Sequence, residues 1–482
     1  MERLTPLAAA FLDAEDADAS ASLAIGSFAV FEGPAPSYDE FVEAIAGRLP
    51  LIPRYRQKLH PAPFDLAPPA WVDDPAFDLR WHIRNTALPA PGGPDEIGRL
   101  LSRVMTRRMD RSRPLWEYWF CEGLADGRWA LLSKLHHSLV DGVSGTDLYQ
   151  LVLDPTPEPR SPVPDDWTPQ VPHPLVLTAD AVAHLVTSPV GVGRALAHSL
   201  TAPGRLLRTT LGSARGMLVL SGALRPVRRT TLMGTLSGSR RYVWAELSVS
   251  DVKRVGRANG TTVNDVALAV VAGGFRRLLL ARGEDPDAHA LRSLVPVSTR
   301  GPGEESIPDN RVSLMLPYLP VDLESPRDRL TAVHGRIRAL RGSHEPEAGA
   351  GLTSLAELGA FPPVSLGMRL ALHLPQRMIA AVTTNVPGPR RTLYALGRPC
   401  VVMLPYVPIA DRVRIGVAMF SYCDSLVFGI TGDYDTAPDL QVLADGITAS
   451  MEELLAEVDR SEAGARRPAS ARRTTKRHVR HQ

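Results

Sequence analysis

Along most of the chain, short apolar runs alternate with longer stretches of helical spacing. Ser27–Phe31, Ala130–His136, Tyr242–Leu247, Ser293–Ser298, Val312–Leu316 and Arg414–Phe420 have the length and content of strands. Leu330, Val333, Ile337 and Leu340 fall on one helical face. Ser325-Pro326-Arg327-Asp328 ahead of them marks a helix start: a capping serine, proline in the first turn, and an acid three residues after the cap. Leu440, Leu443, Ile447, Met451 and Leu454 form a second stripe. A third helix starts near Asn264 and continues through Val266, Val270 and Leu278; Gly273-Gly274 within it predicts close packing against another element. The alternation predicts an α/β protein with mixed sheets.

Two stretches break the pattern. Residues 155–174 hold eight prolines and read as a linker wrapping the surface. Residues 181–245 hold nine arginines and no acid, with leucines between the arginines: Arg194, Arg205, Arg208, Arg215, Arg225, Arg228, Arg229, Arg240 and Arg241. Such a stretch predicts either an amphipathic surface resting on anionic lipid or arginines paired with acids of the neighbouring domains. With 482 residues, enough for about two to four domains, the predicted division is an N-terminal domain 1–154, a crossover 155–235, proline-rich then basic and helical, a C-terminal domain 236–460, and a basic, disordered tail 461–482.

Composition agrees with a folded chain, 44% hydrophobic and 22% charged. The net charge of +2 argues against a nucleic-acid partner, but it is an average. The tail carries seven basic residues and one acid, and 181–245 carries nine positive charges, so the remainder is acidic. A basic crossover and tail on an acidic body suit a lipid surface as partner. The three cysteines, Cys121, Cys400 and Cys423, are scattered and support neither a disulfide framework nor a zinc site. Charge-free runs such as 19–31 and 181–193 fall short of the roughly 20 residues of a membrane span. No apolar signal core follows Met1. The expected location is cytoplasmic, with peripheral contact to membrane or lipid bodies.

The chemistry centres on His136-His137-Ser138-Leu139-Val140-Asp141-Gly142, between a strand and a helix expected to start near Ser144 or Thr146. Adjacent side chains at a strand end point to opposite faces, so one histidine faces a cavity and the other packs internally. A neutral imidazole, with an ordinary pKa of about 6.5, can take a proton from an alcohol attacking an acyl carbon and return it to the leaving group. Asp141 would orient the histidine or pin the turn through an arginine; Gly142 would let the backbone turn beside a ligand. Gly142-Val143-Ser144-Gly145-Thr146 is not a serine-hydrolase elbow, because Thr146 stands where that motif needs glycine. The absence of cysteine near the heptad fits direct transfer without a covalent acyl-enzyme, though a serine remains open.

The heptad, with four further blocks in order, resembles the bacterial wax ester synthase/acyl-CoA:diacylglycerol acyltransferase family, within the superfamily of CoA-dependent acyltransferases. Those blocks are Pro114-Leu115-Trp116-Glu117, Asn264-Asp265, Val295-Pro296-Val297-Ser298 and Asn385-Val386-Pro387-Gly388-Pro389. The likeness covers roughly residues 1–460 and weakens through about 155–230. It implies two chloramphenicol-acetyltransferase-like domains with an active-site tunnel at their interface. It implies His137 as general base, with His136, Asp141 and Gly142 as motif support. Long-chain acyl transfer from acyl-CoA to diacylglycerol, a long-chain alcohol or both would release free CoA, with no cofactor or metal.

Pro114, Leu115, Trp116, Glu117, Asn264, Asp265 and Asn385 would bind substrate or build the tunnel. Each also has a plainer reading: Trp116 as packing anchor, Glu117 as an internal pair, Asn264 and Asp265 as helix-terminal residues, Asn385 as part of a rigid turn. The chain departs from the family pattern at Ala8, Ala24, Met233 and Asp309. Those at Ala8, Ala24 and Met233 motivate a competing expectation, a lipid-surface binding protein with little turnover; a second competitor is a condensation-type acyltransferase on another acceptor, against which the Pro-Leu-Trp-Glu and Asn-Asp blocks argue.

Overall fold

The computed structural model describes residues 1–140, 152–186, 226–298, 312–342 and 376–466. Helices α1 (Pro6–Ala17), α2 (Tyr38–Ala46), α3 (Leu79–His82), α4 (Pro94–Thr106) and α5 (His137–Val140) alternate with strands β1 (Ala24–Phe31), β2 (Gln57–His60), β3 (Ala70–Asp73), β4 (Ile83–Ala87), β5 (Trp116–Glu122) and β6 (Trp129–His136). The second half holds β7 (Arg240–Ser248), α6 (Val249–Asn259), α7 (Val263–Ala281), β8 (Ser293–Ser298), β9 (Val312–Met315), α8 (Pro326–Gly342), β10 (Ala381–Val386), β11 (Tyr394–Ala395), β12 (Arg398–Tyr406), β13 (Ile415–Tyr422), β14 (Ser425–Asp433) and α9 (Leu440–Arg466).

Two six-stranded sheets result, in the orders β11-β12-β1-β6-β5-β4 and β7-β14-β13-β10-β8-β9; β2 and β3 pair separately. Both are mixed: β4 and β5 run parallel in the first, and β10 runs parallel to β13 and β8 in the second. The expected α/β class with mixed sheets is what the chain forms. In β6, Leu131 and Leu132 are both buried although they point to opposite faces, as expected for a strand covered on both sides.

One strand crosses the expected domain division. β12 lies in the second half of the sequence, yet it pairs antiparallel with β1, Gly26 opposite Tyr406 through Phe31 opposite Cys400. From there it abuts the second sheet. Tyr242 Oη of β7 donates to Pro405 O at 2.8 Å. A Cβ at Gly429 of β14 would stand 1.9 Å from the same carbonyl, so only glycine lets the strands approach this closely.

Local signals hold well. Ser325 Oγ accepts from the Asp328 amide at 3.2 Å and opens α8. Leu440, Leu443, Ile447, Met451 and Leu454 are all buried. The paired glycines of α7 do meet another helix. A Cβ at Gly274 would lie 2.8 Å from Leu443 O and 2.9 Å from Ile447 Cγ1 on α9. Gly274→Ala is therefore expected to destabilise the fold by about 1–3 kcal/mol, read as a lowered denaturation midpoint; an unchanged midpoint would show that α7 and α9 can part freely.

The proline-rich linker has no regular element until a helix at 174–186. It lies against the first half: Val163 N donates to Gly47 O at 2.6 Å, Gln170 N to Asp73 Oδ2 at 2.9 Å, and Arg56 pairs with Asp165. Of the nine arginines of 181–245, Arg194, Arg205, Arg208, Arg215 and Arg225 lie outside the described residues. Arg228 pairs with Asp287 at 3.2 Å, Arg240 lies 3.8 Å from Asp433, and Arg241 donates to Tyr434 O at 2.8 Å. Helix α9 runs through Arg466, so the tail boundary placed at 461 falls inside a helix. Arg254 ties that last stretch down through Asp459 and Glu462. Residues 467–482 lie outside the described residues.

Candidate active site

The polypeptide passes from β6 directly into α5, a helical turn that begins at His137; the helix start expected near Ser144 or Thr146 lies outside the described residues. The two histidines consequently diverge. His136, the last residue of β6, is 1% exposed. Its main-chain amide donates to Leu115 O at 3.0 Å. Ser138 N donates to His136 Nδ1 at 3.2 Å, and Ser138 Oγ lies 2.6 Å from the same nitrogen. An amide can only donate, so Nδ1 is the acceptor and the ring proton sits on Nε2. Nε2 lies 3.4 Å from Glu15 Oε1, within ion-pair distance but without the geometry of a formed hydrogen bond.

Glu15 belongs to α1 and is 2% exposed. Its Oε1 accepts from the Leu23 amide at 2.6 Å, and Oε2 from Arg111 at 3.0 Å. Burial works to raise this carboxyl, but His136, the Leu23 amide and Arg111 outweigh it and hold it at about 2. Glu15 is thus a fixed anion beneath His136.

His137 points elsewhere. Its amide donates to Leu23 O at 3.2 Å, and its ring stacks on Phe11 of α1, centroids 3.9 Å apart and planes 19° apart. The ring keeps some solvent contact. Desolvation, with the neighbouring His136, lowers its pKa to about 4, so at neutral pH the ring carries a free lone pair. One helix, α1, therefore serves both histidines: Phe11 and Glu15 stand four residues apart on one face.

The Pro114–Glu117 block supports this strand end. Pro114 is buried, Leu115 receives the His136 amide, and Trp116 lies in register with Leu135. Trp116 is fully buried, donates from Nε1 to Tyr55 O at 2.8 Å, and stacks between Tyr55 and His82. That is the role of a packing anchor. Glu117 accepts from Trp119 Nε1 at 3.0 Å and stands in register with buried Lys134.

The second group lies on the other half. Thr262 and Asp265 form a reciprocal cap at the start of α7, Thr262 N to Asp265 Oδ2 at 2.9 Å and Asp265 N to Thr262 Oγ1 at 3.2 Å. His334 Nδ1 lies 2.8 Å from the same Asp265 oxygen. Asn385, near the end of β10, donates from Nδ2 to Asn264 Oδ1 at 2.9 Å. The Asn264-Asp265 and Asn385 blocks, 121 residues apart in sequence, are thus joined directly. Asp141 and Gly142 lie outside the described residues.

Sequence reasoning missed Glu15 and Phe11. Glu15 sits in the acidic run Asp13-Ala14-Glu15-Asp16, which reads as a solvated face; only the spacing from Phe11 hints otherwise. Of the departures, Ala24 is buried directly opposite His136 in the β1–β6 register, and Ala8 is buried in α1. Met233 bridges to Val413, and Asp309 lies outside the described residues. Among the described residues, no three of His, Cys, Asp and Glu are grouped as a metal site would need. No described helix is long and apolar enough to cross a membrane.

Comparison with known proteins covers both halves. Residues 4–267 match the model of the wax ester synthase/diacylglycerol acyltransferase catalytic domain, and residues 309–455 that of the C-terminal domain of the same proteins. A protein of Mycobacterium tuberculosis described as a probable diacylglycerol O-acyltransferase is 42% identical over 97% of this chain and 99% of its own. The structure of a wax ester synthase/diacylglycerol acyltransferase from Marinobacter aquaeolei superimposes with a TM-score of 0.66 at 26% identity, covering 95% of this chain and 100% of the other. The first condensation domain of the calcium-dependent antibiotic synthetase shares the fold, with a TM-score of 0.57 at 17% identity over 95% and 99% of the two chains.

Proposed function

The chain belongs to the wax ester synthase/diacylglycerol acyltransferase family and is an acyltransferase, and from that premise we propose that it moves an acyl group from acyl-CoA to the free hydroxyl of a diacylglycerol, with His137 as general base. The observation that carries the assignment is the divergence of the two histidines. His136 is committed to Ser138 and lies against Glu15, whereas His137 offers an unprotonated, half-buried ring that, among the described residues, stacks on Phe11 while its main-chain amide donates to Leu23 O. In this reading His137 takes the hydroxyl proton as the oxygen attacks the thioester carbonyl. The carbon–oxygen bond forms, the carbon–sulfur bond breaks, and the imidazolium returns the proton to the departing CoA thiolate. Positioned proton transfer of this kind contributes about 10²–10⁴ in rate. The reaction needs no resident cofactor or metal; acyl-CoA is a substrate.

Diacylglycerol is preferred over a long-chain alcohol on the strength of the relative's description. The test is the release of CoA from palmitoyl-CoA, followed with a thiol reagent, with dioleoylglycerol, hexadecanol or an amine as acceptor. Release fastest with dioleoylglycerol supports the reading; release fastest with the amine would move the chain to condensation chemistry. A lipid-surface contact is also proposed. Leu175, Val176, Val182 and Val186 in the 174–186 stretch are all exposed, and this stretch leads into the acid-free basic segment. Flotation with anionic liposomes at low salt supports this contact, and no flotation counts against it.

The acid limb of kcat/KM reports the base of the free enzyme. With the His137 pKa lowered to about 4, its base form persists well below the ordinary value. At pH 5.5 the chain is expected to retain most of its neutral activity, where an unperturbed histidine would keep only about a tenth. The stability sign agrees. A histidine held neutral in the fold contributes fully above the unfolded value of about 6.5, and its contribution is lost as pH falls toward the folded value.

A further inference from the structure

Three arginines far in sequence from α1, two of them neighbours at 108 and 111 and the third at 240, converge on main-chain carbonyls at the end of α1 and in the turn that follows. Arg111 donates to Leu12 O at 3.1 Å as well as to Glu15. Arg108 donates from Nε to Ala21 O at 2.9 Å, and from one terminal nitrogen to Glu15 O and Asp18 O. Arg240, at the start of β7 in the second sheet, donates to Ser20 O at 2.8 Å. The turn is also tied by Ser22 Oγ to Arg107 O at 3.2 Å.

Helix ends leave carbonyls without main-chain partners, and cations near a C-terminus satisfy them. That would explain one arginine. What sets this turn apart is where it leads. Two residues beyond Ala21, Leu23 offers its amide to Glu15 and its carbonyl to the His137 amide. The carbonyls gripped by Arg108 belong to Glu15 itself, to Asp18 and to Ala21. This guanidinium therefore fixes the span between the carboxylate under His136 and the residue that holds His137. It is exposed, so its bonds, rather than burial of its side chain, are its contribution.

We infer that Arg108 is a positioning residue for acyl transfer, acting through the end of α1 and the turn to β1 on Glu15 and Leu23, and so on both histidines; the inference rests on His137 being the base. Arg240 grips the same turn from the second sheet, which links the histidines to the opposite half of the molecule. Displacement of a base by about 1 Å can cost some 10²-fold in rate.

The test compares the wild type with Arg108→Ala and Arg108→Lys, using palmitoyl-CoA and dioleoylglycerol, and follows the ring protons of His136 and His137 by NMR across pH. Arg108→Ala is expected to lower kcat roughly ten- to a hundredfold, with KM for both substrates within about twofold of wild type. The melting temperature should fall by less than about 4 °C. The His137 titration should move up toward 6.5 as the stack on Phe11 loosens. Arg108→Lys, which can still donate to some of the carbonyls, should lie between. Unchanged kcat in Arg108→Ala, or a kcat loss with both histidine titrations unmoved, overturns the inference. If the wild type turns over no acceptor, the functional reading falls, while the histidine titrations still decide whether Arg108 sets the site.

Discussion

Replacing His137 by alanine is expected to lower kcat at least about 10²-fold while leaving the fold intact. The half-buried ring contacts α1 through one stacked face, against Phe11. The bonds that fasten this corner are main-chain: His137 N to Leu23 O and His136 N to Leu115 O. Alanine keeps both and loses only the ring. The cost to stability is therefore that of one aromatic contact and a small void, about 1–2 kcal/mol, whereas the loss in rate is that of the base. His136→Ala should behave in the opposite sense. It removes a side chain that is 1% exposed and bonded to Ser138, and leaves Glu15 as a buried anion with one partner fewer. Comparing the two variants by circular dichroism and by CoA release separates base from support. A His137→Ala protein with near-normal kcat would remove His137 from the chemistry.

The second large effect is expected at Glu15. Glu15→Gln preserves shape but offers one oxygen where the site needs two. Leu23 N–H and the His136 Nε2 proton face Oε1, and Arg111 faces Oε2. Whichever way the amide turns, its NH2 meets a donor. Breaking a buried charge pair costs about 3–5 kcal/mol; Arg111, which also binds Asp16, should keep the loss near the lower end. The pH dependence follows from the carboxyl's lowered value of about 2, against an ordinary 4.5. A depressed carboxyl contributes stability above its unfolded value and loses it as pH falls through the folded one. The stability gap between wild type and Glu15→Gln should be full at pH 7 and close steadily below about pH 4.5. A gap independent of pH would show that Glu15 is not ionised in the fold. Activity should fall with it, by roughly ten- to a hundredfold, because His136 and Leu23 both lose their reference point.

Local features were legible in the sequence because their causes are local. The Ser325 cap and the α9 stripe follow from residues within a few positions of one another, and the Gly273-Gly274 pair marks a close approach without naming its partner on α9. The split between the two histidines was legible too, although its cause is a strand running into a helical turn rather than strand alternation alone. The resemblance identified the blocks but not how they connect. That Leu115 holds the His136 amide, and that Asn385 reaches Asn264, are pairings across 21 and 121 residues which no spacing announces. β12 is the extreme case, a strand of the second half completing the sheet that carries the histidines. Glu15 was hidden for another reason. An acid among acids looks solvated, and only the fold shows that it is buried beneath His136.

The most direct test of the account is to incubate the purified chain with radiolabelled palmitoyl-CoA and dioleoylglycerol and to identify the labelled product. Label is expected in triacylglycerol, with one free CoA released per acyl group transferred and both lost in His137→Ala. Label remaining in palmitoyl-CoA, or appearing in triacylglycerol undiminished in His137→Ala, would contradict it.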